Sequence, residues 1–145
     1  MKGPFTKREI RDLFTLWQGR LGLAEWDIRV TFERIKPDTI TMQIHRSVNY
    51  QRATIKVQPW VVTGKPPKEW QTGLGRVRKR DVEECVVHEL LHAVIGPGWI
   101  WANLLDGHLD PTVLSMVTGT YDLIEEGYVD MLAVALVRAW PKVSA

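Results

Sequence analysis

Hydrophobic and polar positions change period twice along this chain. Ile10, Leu13, Phe14, Trp17 and Leu21 recur at three- and four-residue spacing, the stripe of an amphipathic helix. Thr6 stands ahead of it as an N-cap, Glu9 completes a capping box, and Phe5 with Ile10 forms a hydrophobic staple. Gly19 and Gly22 mark its end. The period then drops to two. Trp26, Ile28, Val30 and Phe32 face one way, and Asp27, Arg29, Thr31 and Glu33 the other, which is a half-buried strand. A turn at 36–38 (KPD) separates it from a weaker alternation over 40–45. A third alternating run puts Ala53, Ile55 and Val57 on one face before Pro59 ends it. Together these predict a small antiparallel or mixed sheet of three or four strands.

Residues 59–80 carry Pro, Gly and basic residues, including the run RVRKR at 76–80, and read as a surface loop. Asp81 is placed as the next N-cap with Glu84 at N3, opening a helix from about 82 to 95 that GPG at 96–98 stops. Residues 99–118 fit a short helix and a turn. A last helix is expected over about 119–139, carrying Leu123, Ile124, Leu132, Ala135 and Leu136. The fold class is therefore α+β. At 145 residues one domain, 1–145, accounts for the whole chain.

Composition narrows the function. A net charge of +2 is too small to imply a nucleic-acid partner by itself. A single cysteine, Cys85, rules out an internal disulfide and fits a reducing cytoplasm. The N-terminal MKGPFTKREI has no apolar core of a signal peptide, and no run approaches the length of a membrane span, so a cytoplasmic, monomeric protein is expected.

The chemistry concentrates in VVHELLHAVIG, residues 86–96, which holds two of the chain's four histidines. His88 and His92 lie one helical turn apart, about 40° around the axis, and can bind one Zn²⁺ from a single face. Glu89 can take the proton of a water that the metal activates. Val86, Val87, Leu90, Leu91 and Val94 supply an apolar back to the same helix. A catalytic zinc needs a third protein ligand. The metzincin extension requires a glycine and a histidine where this chain has Ile95 and Gly98, so the ligand must come from elsewhere. Glu125, Glu126, Asp130 and His108 are the candidates, and Asp130 lies one turn beyond Glu126. Cys85, one turn before His88, reads as core.

HELLH followed by EGYVD resembles the gluzincins, the thermolysin-like zinc peptidases, and the order of elements is similar to small stand-alone metallopeptidases of bacteria and their phages. The spacer is longer than in thermolysin-like enzymes, and no large substrate-binding subdomain is present. The resemblance implies a zincin-like fold and a zinc-dependent metallopeptidase acting on a peptide or protein. It makes His88, His92 and Glu126 the ligands of one zinc, and Glu89 the general base. Asp130 becomes the carboxylate that orients His88. Glu125 would then point about 100° away around the helix, toward Tyr121 and Tyr128. His108 reads as a solvent-exposed loop residue or as a donor to the oxyanion of the tetrahedral intermediate. Two alternatives stand beside this reading: a zinc-binding regulatory or assembly domain without turnover, and a DNA-associated SprT-like metalloprotease with His108 as third ligand.

Overall fold

The computed structural model describes residues 4–47, 50–68, 77–95 and 107–140. The first helix, α1 (Lys7–Arg20), begins as expected, with the Thr6 hydroxyl accepting from the Glu9 N–H and the Glu9 carboxylate accepting from the Thr6 N–H. Its end is set by Gly22 at φ +72°, which lets the Leu23 N–H turn back to the Gln18 carbonyl. The Gln18 amide also donates to the carbonyls of Leu23 and Trp26, tying the helix end to the strand that follows.

Three strands form the sheet: β1 (Asp27–Phe32), β2 (Met42–Ser47) and β3 (Arg52–Val57). The order is β1-β3-β2, with β1 parallel and β2 antiparallel to β3, so the sheet is mixed and β2 is an edge. β2 lies two residues later than the alternation over 40–45 suggests. Ala53, Ile55 and Val57 bury one face of β3, in the predicted register.

The stretch after Pro59 is not all surface loop. Trp60 and Val61 are buried in a one-turn helix, α2 (Trp60–Thr63), which Gly64 closes at φ +76°. The next helix, α3 (Lys79–Val94), starts earlier than expected. Asp81 sits at N3 rather than at the N-cap, where its carboxylate accepts from the backbone N–H of Arg78 at 3.2 Å and from the Arg78 guanidinium at 2.9 and 3.0 Å. A carboxylate in the first turn satisfies both the free N–H groups and the positive end of the helix. Arg78 and, at 3.6 Å from Glu84, Arg80 are thus engaged by carboxylates of α3. Residues 96–98, Trp99 and Trp101 lie outside the described residues.

The last helix, α4 (Pro111–Ala139), begins eight residues before the expected start. Asp110 caps it through the Thr112 N–H at 2.9 Å, and Pro111 fills the first position, where no N–H is needed. The face that α4 buries is also not the expected one. Leu123 and Ile124 are 77% and 53% exposed, whereas Glu125, Val129 and Ala133 are buried. That is a stripe at i, i+4 and i+8, narrow enough for small side chains to bring α4 close to α3.

α3 is the hub, packing on α1, β2 and α4. Ile10, Phe14 and Trp17 of α1 meet Val82, Val86 and Leu90 of α3 and Ile55 and Val57 of β3 in one continuous core. The Trp17 indole N–H, otherwise stranded in that core, donates to Glu83 at 2.8 Å. No helix among the described residues is long and apolar enough to cross a membrane.

Candidate metal centre

Antiparallel packing of α3 and α4 brings the two motifs together. Going up α3 from His88 to His92 is going down α4 from Asp130 to Glu125. His88 Nδ1 lies 2.8 Å from Asp130 Oδ1, and His92 Nδ1 lies 3.3 Å from Glu125 Oε1. Both Nε2 atoms then turn to one point. They are 3.2 Å apart, and Glu126 closes the triangle with Oε2 at 3.3 Å from His88 and Oε1 at 3.0 Å from His92.

The donor chemistry of this cluster is suited to a cation. With the proton on each Nδ1, where a carboxylate can accept it, each Nε2 keeps a lone pair. Two lone pairs and a carboxylate facing one another have no donor among them. Tetrahedral ligands at about 2 Å from a metal stand about 3.3 Å apart, and the three separations match that edge. All three ligand atoms lie within 4.8 Å of one another, so His88, His92 and Glu126 could hold a metal ion.

The site opens into a cleft of about 760 Å³, bounded by β2 (Met42 to Arg46) on one side and α3 and α4 on the other. A second cavity of about 550 Å³ shares Met42, His88 and Glu89 with it and runs toward Thr41, Asp81 and Val134. Glu89 therefore stands on the wall between the two. It is buried, and burial pushes its carboxyl up to about 8. The Ile44 N–H of β2 opposes that rise, the charge of Glu126 adds to it, and Arg46 opposes it.

Sequence reasoning places Glu125 facing away from the metal, and the structure overturns this. Glu125 is 6% exposed, at the head of the stripe that packs on α3, and it serves His92 as Asp130 serves His88. The signal was present in the sequence: two ligating histidines need two acceptors for their remaining N–H groups, and Glu125 with Asp130 supplies them around Glu126. Arg46 was also missed. Its guanidinium donates to the His92 carbonyl and lies 3.3 Å from Glu125 Oε1. Nothing in the alternation of β2 marks it out.

His108 does not belong to the site, either as third ligand or as oxyanion donor. It is exposed in the turn before α4 and lines neither cavity. The helix from Pro111 to Glu126 spans about 22 Å, which carries His108 well beyond reach. Tyr121 and Tyr128 line neither cavity, and Tyr128 is exposed. Cys85 lies outside the candidate ligand group, and burial raises its thiol to about 12. Comparison with protein families, with curated proteins and with solved structures finds no match for this chain.

Proposed function

We propose that this protein is a zinc-dependent metallopeptidase of zincin-like fold, with one zinc held by His88, His92 and Glu126. The observation that carries the reading is the convergence of two imidazole lone pairs and a carboxylate, each imidazole backed by its own carboxylate. Two neutral nitrogens and one oxygen suit Zn²⁺, and three protein ligands leave a fourth position open to substrate. When bound, zinc would supply Lewis acidity to polarise a carbonyl and to make a water nucleophilic at neutral pH.

The chain's own residues support hydrolysis rather than a purely structural site. Glu89 lies beside the ligands without being one. It is a buried carboxyl on the wall of the cleft, placed to accept a proton and to return it, as a general base that later acts as an acid must. Asp130 and Glu125 hold the two rings in the tautomer and orientation that ligation needs. The cleft continues on both sides of His88 and Glu89, which suits a polypeptide that runs through the site. β2 offers its outer edge to that cleft, where an extended peptide could add as a further strand.

The test is cleavage of an unfolded protein substrate by zinc-loaded protein. Chelation should abolish cleavage and zinc should restore it. Glu89→Gln should retain zinc and lose turnover, because glutamine has nearly the same shape and cannot accept the proton. Cleavage that survives chelation or Glu89→Gln would refute the proposal.

A further inference from the structure

We infer that Arg46 is a positioning residue of the metal site, one that fixes His92 from both its backbone and its ring. The inference rests on the reading of His88, His92 and Glu126 as metal ligands. Its basis is a closed set of contacts. The Arg46 guanidinium donates to the His92 carbonyl through Nη1 and faces Glu125 Oε1 through Nη2 at 3.3 Å, and the same Oε1 lies 3.3 Å from His92 Nδ1. Arg46 and Glu125 are 13% and 6% exposed, so water competes little for either charge.

The position of His92 explains why such a clamp is needed. α3 ends at Val94, which places the His92 carbonyl among the last four, those without N–H donors from their own helix. A ligand on a terminal turn is exposed to fraying of that turn. A guanidinium at the carbonyl end of a helix supplies a donor from outside the helix and complements the negative end of the helix dipole. Arginine also has the planar fork required to meet a carbonyl and a carboxylate at once, which a single ammonium cannot do with the same geometry. Without Arg46, the buried Glu125 carboxylate would lose its cation and its hold on the ring.

The clamp also links the metal to the edge strand. Two residues before Arg46, the Ile44 N–H reaches the Glu89 carboxyl. One strand, β2, thus holds both the second ligand and the base, and it borders the cleft where substrate is proposed to lie.

The 145-residue protein should be compared as wild type, Arg46→Met, Arg46→Lys, Glu125→Gln and the double variant Arg46→Met with Glu125→Gln. The measurements are zinc affinity by chelator competition, the visible spectrum of the cobalt(II)-loaded protein, and the thermal unfolding of the metal-free protein. Arg46→Met is expected to bind zinc about 10–100-fold more weakly, the range for loss of a partner behind a ligand. Its cobalt spectrum should shift because the His92 ring is no longer fixed. Arg46→Lys should recover part of the affinity. Arg46→Met combined with Glu125→Gln should cost little more than Arg46→Met alone, because the two act as one unit. Wild-type affinity and an unchanged cobalt spectrum in Arg46→Met would overturn the inference while leaving the metal site intact. Failure of the wild type to bind zinc would instead overturn the metal reading, and this inference with it. If Arg46→Met does not fold, Arg46→Lys and Glu125→Gln decide: affinities equal to wild type in both refute the clamp, and a loss in both supports it.

Discussion

Glu89→Gln should make the stability of the metal-free protein less dependent on pH. The Glu89 carboxyl is 8% exposed, and burial raises it from the ordinary 4.5 to about 8. A carboxyl with a raised pKa in the folded state binds its proton more tightly there than in the unfolded chain. Its contribution to stability is therefore complete below about pH 4.5, declines as pH rises, and is lost above about pH 8. Each pH unit between those limits is worth about 1.4 kcal/mol, so wild type should lose about 3–4 kcal/mol relative to Glu89→Gln between about pH 5 and pH 9. That is a large share of the ~5–15 kcal/mol typical of a domain. The assay is urea unfolding of both proteins in chelator, followed by far-ultraviolet circular dichroism at several pH values. A wild-type-minus-variant difference that stays flat, or that moves in favour of wild type as pH rises, would show that Glu89 is an ordinary solvated carboxylate and would remove the physical basis for its role as base.

Asp130→Ala should weaken zinc binding about 10–100-fold, because His88 Nδ1 loses its acceptor at 2.8 Å, and chelator competition measures this directly. Ala133→Leu adds bulk to a position that is 2% exposed between α3 and α4; it should cost about 1–3 kcal/mol in urea unfolding and also lower zinc affinity by moving Glu126. His108→Ala should leave zinc content and turnover unchanged, since the residue is exposed and outside the cleft; loss of either would restore it to the site.

Local chemistry made much of this fold legible. The capping box at Thr6 and Glu9, the alternation of Ala53, Ile55 and Val57, and the turn of helix between His88 and His92 depend on near neighbours, and each has its expected form. The starts of α3 and α4 differ from the expected ones because a carboxylate can cap from N3 as well as from the N-cap, and because Asp110–Pro111 is itself a strong helix start. The buried face of α4 was the largest departure. Leu123 and Ile124 are more hydrophobic than Val129 and Ala133, yet close approach to α3 selects the small residues, and that selection brings Glu125 into the site. Arg46 became visible only once the edge of the sheet and the end of α3 stood side by side. Such a pairing depends on topology, which residue spacing along β2 does not encode.

The central claim is the three-residue metal site, and zinc content measures it most directly. Wild type and Glu126→Ala should each be loaded with zinc, dialysed against metal-free buffer at neutral pH and analysed for metal per chain. The account predicts about one zinc per wild-type chain and close to none for Glu126→Ala, whose loss opens the triangle at the oxygens 3.0 and 3.3 Å from the two histidines. Wild type that dialyses to zero zinc, or Glu126→Ala that keeps a full equivalent, would contradict it.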